Sequence, residues 1–101
     1  MNSKWLRAFT TKIEIGKNIT IGTEAFQRYG SLLNITIPSS ITSLGRSAFF
    51  ECRSLSSITI PSGVTRLEDS IFSSCFSLST AAIPKKVEYL GEDAFEYCSS
   101  L

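Results

Sequence analysis

Histidine is absent from the 101 residues, which removes the commonest general base, every Ser-His or Cys-His nucleophilic pair and the imidazole ligands of most zinc sites. An excess of charge of one sign is also missing: ten Lys and Arg stand against nine Asp and Glu, a formal charge of +1. Displacing counterions from a phosphate backbone demands a clearly basic face, so nucleic acid is not an expected partner. No run approaches the roughly 18 to 20 apolar residues that cross a bilayer, so no membrane span is expected. The opening segment, Met1 to Phe9, carries Lys4 and Arg7 but lacks the continuous apolar stretch of about 7 to 15 residues that a secretory signal has behind its charges, so no signal peptide is expected. Cysteine is scarce and odd in number, three in all, so a fully paired intrachain disulfide framework is excluded and reduced thiols are the default. The length allows one domain. These exclusions leave a binding or scaffolding module rather than an enzyme, with no catalytic, cofactor-binding or metal-binding residue assigned and no cofactor expected.

What the sequence does have is a repeat. Pro38, Pro61 and Pro84 recur every 23 residues, as do Cys52, Cys75 and Cys98; Phe26, Phe49, Phe72 and Phe95; and Leu32, Leu55, Leu78 and Leu101. A shared period in several columns is the mark of a solenoid or repeat array. Asn34-Ile-Thr-Ile-Pro38 aligns with Ser57-Ile-Thr-Ile-Pro61 and Thr80-Ala-Ala-Ile-Pro84. An earlier copy has Ile13-Glu-Ile15-Gly16 in that place and lacks one residue between Thr20 and Ile21. The repeats fall at about residues 10–32, 33–55, 56–78 and 79–101, with residues 1–9 as an N-terminal cap segment.

Within a copy the apolar spacing changes. After Leu55, the alternation of Ile58 and Ile60 with Ser57 and Thr59 predicts a short strand, stopped by Pro61, which lacks the N–H to continue a ladder. Ala48, Phe49, Cys52 and Leu55 follow at i, i+1, i+4 and i+7, the inward stripe of about two helical turns. Gly45 and Gly91 precede equivalent stripes and suit a tight corner; Glu68 holds that column in the third copy, which argues against positive φ there. The expected fold class is thus an α/β solenoid of about four 23-residue repeats, each with one short strand and one short helix. One unit cannot bury its own apolar stripe, so stacking must do so.

Leu-x-x-Ile-x-Ile-Pro, then Val-x-x-Leu-Gly, then Ala-Phe-x-x-Cys-x-x-Leu resembles the BspA-type leucine-rich repeat of bacterial and protist surface proteins. The likeness covers roughly residues 10 to 101; in the first copy Tyr29 replaces Cys and Gly16 replaces Pro. The resemblance implies a leucine-rich-repeat arc used for protein–protein contact, as in longer surface adhesins of host or matrix proteins, and hence a cell-surface or secreted location.

Candidate chemistry has a plain reading beside each sharper one. The Cys column invites a disulfide or metal reading, but parallel side chains in a file oppose the dihedral near 90° of a disulfide, and a Cys-only zinc site wants four thiolates. Buried thiols acting as small hydrophobes are the other reading. Serines are abundant, but without His only a Ser-Lys arrangement could activate one, and Lys85 and Lys86 belong to a turn. Glu68-Asp69 and Glu92-Asp93 stack on successive repeats, either as a cation or paired-carboxylate site or as solvated turns. Asn18-Ile-Thr20 and Asn34-Ile-Thr36 are glycosylation sequons, meaningful only in a eukaryotic secretory pathway. Trp5, Leu6 and Phe9 either lay an aromatic over the first Phe of the stack or dock a partner.

The partner-binding candidates are the outward strand positions Asn34, Thr36, Ser57, Thr59 and Thr80, flanked by Glu14 and Ala82. This hydroxyl-rich face offers hydrogen bonds at low desolvation cost but lacks the Trp, Tyr and Arg of usual hot spots, so repetition would supply affinity. A protein partner is the first reading and a carbohydrate-binding repeat module the alternative. Residues 1–50 carry +4 and residues 51–101 carry −3, with Glu88, Glu92, Asp93 and Glu96 in the last copy. Leu101 opens what would be another strand, as in a piece of a longer array. Self-association through an uncapped C-terminal repeat is expected on those grounds.

Overall fold

Four successive passes of the chain place equivalent residues above one another. The structure, a computed structural model, describes residues 3–17 and 19–101. A short helix, α1 (Ser3–Phe9), leads into β1 (Lys12–Glu14), β2 (Asn34–Thr36), β3 (Ser57–Thr59), β4 (Arg66–Leu67), β5 (Thr80–Ala82) and β6 (Tyr89–Leu90). All pairing is parallel. Ile13 lies opposite Ile35 and Ile58 opposite Ala81 on the strand edge of the solenoid, while Leu67 lies opposite Leu90 on a second edge. An isolated bridge joins Ile21 to Leu44 on that second edge. The shorter first copy is thereby back in register by Ile21, its missing residue absorbed between the two ladders. Alternation works as expected: Ile35 and Ile58 are buried, with exposed residues on either side.

The segment expected to be a helix in each copy is a chain of turns, and among the described residues α1 is the only helix. In the second copy Ala48, Phe50 and Cys52 donate their N–H groups three residues back, to the carbonyls of Gly45, Ser47 and Phe49. The intervening N–H groups of Ser47, Phe49 and Glu51 point the other way and bond to Asp69, Ile71 and Ser73 of the next coil at 2.9 to 3.1 Å. The same alternation joins Glu24, Phe26 and Arg28 to Arg46, Ala48 and Phe50, and Ser70, Phe72 and Ser74 to Glu92, Ala94 and Glu96. A helix would spend every N–H within its own turn; here every second one serves the neighbouring coil. Two residues per copy adopt left-handed φ to allow this, as Ser47 (56°) and Glu51 (58°) do, and so do Glu24, Arg28, Ser70, Ser74, Asp93 and Tyr97. That conformation costs a non-glycine residue about 1–2 kcal/mol, offset here by the ladder of amide bonds between coils.

No described glycine has positive φ, so the corner expected of Gly45 and Gly91 is a different device. A Cβ on Gly45 would lie 2.2 Å from the Gly22 carbonyl carbon, and one on Gly91 would lie 2.4 Å from the Asp69 nitrogen. These glycines let backbones touch where Gly45 N–H reaches the Ile21 carbonyl and Gly91 N–H reaches that of Leu67.

The core is the set of stacked columns. Phe26, Phe49, Phe72 and Phe95 stack with centroids 5.4 to 5.8 Å apart and planes within 21°. Leu32, Leu55 and Leu78 are fully buried beside them, with Ile71 and Val64. The two ends differ. Ile21 is 2% exposed and its last-coil counterpart Leu90 is 62%; Leu32 is 0% and Leu101 is 56%. The aromatic lid expected of the N-terminal segment is not made by Trp5 or Phe9, which are 63% and 70% exposed and pack on each other at 5.7 Å. Tyr29, in the place of the first Cys, instead meets Phe26 edge-on at 5.4 Å.

Candidate functional site

The parallel register brings the five partner-binding candidates onto one exposed face. Lys12, Asn34, Ser57 and Thr80 form one column and Glu14, Thr36, Thr59 and Ala82 the next, all exposed. Strands in a sheet lie about 4.8 Å apart, so a partner strand or loop laid across this face meets a hydroxyl or amide at each step. Charge is confined to its first strand, at Lys12 and Glu14. From β2 to β5 the face is neutral, and no polar group on it is locked in an ion pair. The join between β2 and β3 is made by Ser56, whose N–H and hydroxyl both reach the Leu33 carbonyl, at 3.2 and 3.4 Å. Of the two sequons, Asn34 is exposed on this face, and Asn18 lies outside the described residues.

Several of the abundant serines are tied between coils. Ser31 donates to the Ala8 carbonyl at 2.6 Å, Ser54 to Gly30 at 2.7 Å, Ser79 to Ser56 at 3.2 Å and Ser100 to Phe76 at 2.7 Å. Their spacing of 23 or 24 residues shows what the serine columns do: each caps a carbonyl of the coil before it.

The Cys column is built the same way. Cys52 donates its thiol to the Phe26 carbonyl at 3.2 Å, Cys75 to Phe49 at 3.2 Å and Cys98 to Phe72 at 3.1 Å. All three are free; Cys52 and Cys75 are buried and Cys98 is half-buried. Burial, which penalises the thiolate, pushes Cys52 up to about 12 and raises Cys75 and Cys98 as well; the Cys75 shift is reinforced by its neighbours in the file. Thiols held protonated in this way are poor nucleophiles and poor metal ligands.

The first acidic doublet, Glu68-Asp69, also has structural partners. Asp69 Oδ1 accepts from the Glu92 N–H at 2.9 Å and from the Tyr89 hydroxyl at 3.0 Å, which raises the tyrosine's pKa. Glu68 takes the Arg66 guanidinium at 2.9 Å, and that guanidinium lies 4.0 Å from the Tyr89 ring centroid. These two carboxylates pin the second edge of the solenoid; in the other doublet, Asp93 is hydrogen-bonded to Glu96 and raises that carboxyl's pKa. Lys85 and Lys86 stand exposed in a turn after Pro84.

The repeat registers, the Phe and Cys files and the proline-stopped strands are matched by a family model. The model of the BspA type leucine rich repeat region, described as six copies, fits residues 8–101. The chain belongs to this BspA-type leucine-rich repeat family. Solved structures agree. A leucine rich repeat protein of T. pallidum is 31% identical over 90% of this chain, with a TM-score of 0.84. One from Bacteroides ovatus is 30% identical over 90%, also at 0.84. A leucine rich cell surface protein of Faecalibacterium prausnitzii is 28% identical over 90%, at 0.56. The BspA-type chain spans 43%, 24% and 37% of those three proteins. No curated protein matches it.

Proposed function

We propose that this BspA-type segment is a non-enzymatic protein-binding module, working within a surface adhesin and holding its partner on the strand face through Asn34, Thr36, Ser57, Thr59 and Thr80. The observation that carries the reading is the neutral exposed face from β2 to β5, on which Asn34, Thr36, Ser57, Thr59 and Thr80 present hydroxyl or amide groups and Ala82 a methyl. Such groups bond to a partner's backbone without the large desolvation penalty of charges. With no aromatic or Arg anchor on the face, each coil contributes little, and affinity grows with the number of coils engaged.

The test is an array of immobilised extracellular-matrix proteins and glycans probed with the labelled chain and with its Thr36→Arg/Thr59→Arg variant. Both side chains point outward, so the variant keeps the parent's melting temperature. Protein spots bound by the parent and lost by the variant support the proposal. Binding unchanged by two arginines in the middle of the face overturns it, and binding to glycan spots alone replaces the protein partner by a carbohydrate.

A further inference from the structure

Arg28, Arg53 and Arg66 each hold a carboxylate, but among the described residues the exposed Arg46 is in no ion pair. Asp69, its neighbour one period on, has its carboxylate engaged elsewhere: Oδ1 accepts the Glu92 N–H at 2.9 Å and the Tyr89 hydroxyl at 3.0 Å, both in the fourth coil. Arg46 borders a cleft of about 380 Å³ on the second edge, with Thr20, Thr23, Ser43, Gly45 and Glu68. The Glu68 carboxylate gives both oxygens to Arg66, at 2.9 and 3.4 Å, so it brings no uncompensated charge. Backbone groups are left over at the same place. Gly45 and Gly91 send their N–H groups to the carbonyls of Ile21 and Leu67 in the coil before. Among the described residues, the corresponding Glu68 N–H makes no such bond and the Leu44 carbonyl receives none. Leu44 also borders the cleft.

We propose that this cleft binds a carboxylate carried by a peptide. The Arg46 guanidinium offers paired donors that match the two carboxylate oxygens. The hydroxyls of Thr20, Thr23 and Ser43 and the Glu68 N–H add neutral donors, and the Leu44 carbonyl is an acceptor for an N–H of the peptide itself. Charge selects the ligand. One unpaired guanidinium balances one negative charge, whereas a phosphate dianion would stand in excess beside Glu68 and Asp69. The volume exceeds that of a lone carboxylate, so there is room for the residue that carries it. The cleft is on the second edge, away from the strand face, and does not depend on what is held there.

The experiment follows the arginine Nε–Hε signals in NMR spectra of the full chain during titration with inorganic phosphate and with acetylated alanine tripeptides. One tripeptide has a free C-terminus, one is amidated with a central glutamate, and one is amidated without it as a control. Arg46 is expected to shift with the carboxylate peptides and not with the control, while Arg28, Arg53 and Arg66 stay still. The tighter of the two peptides tells whether the carboxylate is a chain terminus or a side chain. Arg46→Gln should weaken binding about tenfold, the loss of a charge-assisted pair. Arg46→Lys keeps the charge without the planar fork and should lie between. Ser43→Leu leaves the arginine in place and should weaken binding severalfold by crowding the cleft. Arg46 and Ser43 are exposed, and each variant is first shown to melt like the parent. No shift of Arg46, equal shifts of all the arginines, phosphate binding tighter than both carboxylate peptides, or unchanged affinity in Ser43→Leu would each overturn the proposal.

Discussion

Raising the pH should unfold this solenoid, and the Cys file sets the size of the effect. Cys52 and Cys75 are buried, each with its thiol proton on a Phe carbonyl of the previous coil. Burial pushes Cys52 up to about 12 and raises Cys75 too, whereas a thiol in the unfolded chain titrates near 8.5. The native state thus holds these protons more tightly than the unfolded state. Stability is intact below about pH 8.5 and is lost as pH climbs toward the native values, at about 1.4 kcal/mol per pH unit for each thiol. Between pH 9 and 10.5 the pair should cost on the order of 4 kcal/mol, a large share of the 5–15 kcal/mol of an ordinary domain. Cys98, half-buried at the last coil, adds a smaller loss of the same sign. The assay is the urea midpoint by circular dichroism at half-unit steps from pH 8 to 10.5, for the parent and for Cys52→Ala/Cys75→Ala. The Ala variant starts less stable but should show a much flatter pH dependence. Its Phe carbonyls are not orphaned, because those of Phe26 and Phe49 also accept the N–H groups of Tyr29 and Cys52. A flat parent profile, or an equal fall in both proteins, would refute the argument.

Gly45→Ala should destabilise by about 3 kcal/mol, the range of an overpacked interior, because its Cβ would meet backbone of the first coil. Gly22→Ala has open space at its Cβ and should be neutral or slightly stabilising; thermal melts of the two compare them directly, and equal effects would contradict the close-approach reading. The exposed Leu90 and Leu101, beside Glu88, Glu92, Asp93 and Glu96, should give concentration-dependent self-association in sedimentation at two salt levels. Weakening by salt points to head-to-tail contact with the basic first half, strengthening points to an apolar tail-to-tail contact, and a strict monomer at every concentration sinks the idea.

The period, the strands and the membership of the core were legible because each is a side-chain property. Ile35 and Ile58 alternate with exposed residues, and the Phe and Leu columns recur at one spacing whatever the backbone does between them. The helix was misread for the same reason. Ala48, Phe49, Cys52 and Leu55 point inward from tandem turns as well as from a helix, and the choice between them is made by amides bonding to a coil 23 residues away. Nothing local records that destination. The thiol and serine bonds to earlier coils were hidden likewise, since a column of Cys reads as apolar until the carbonyl opposite it is known. The Arg28–Glu51 ion pair did leave a signal: the two residues are one period apart, so they had to be adjacent.

Glu68 shows how the departures from a repeat can be read physically. It breaks a column that is otherwise Gly22, Gly45 and Gly91, yet the third coil forms. Glycine is required where the second edge is laddered, as between Ile21 and Leu44 and between Leu67 and Leu90. There the following residue sits against the backbone of the coil before it, with its N–H bonded to Ile21 or Leu67. Between Leu44 and Leu67 no such pairing forms, and β2 and β3 are not laddered either. With that approach relaxed, a side chain fits at position 68, and its carboxylate is used to hold Arg66. The second and third coils are joined instead through the turn ladder from Ser47, Phe49 and Glu51 and by the flattest ring contact of the file, Phe49 on Phe72 at 8°. The solenoid is therefore two laddered pairs of coils, joined to each other by the turn ladder and, on the strand side, by the Ser56 N–H on the Leu33 carbonyl. A glycine column with one exception marks where the second edge is left unpaired.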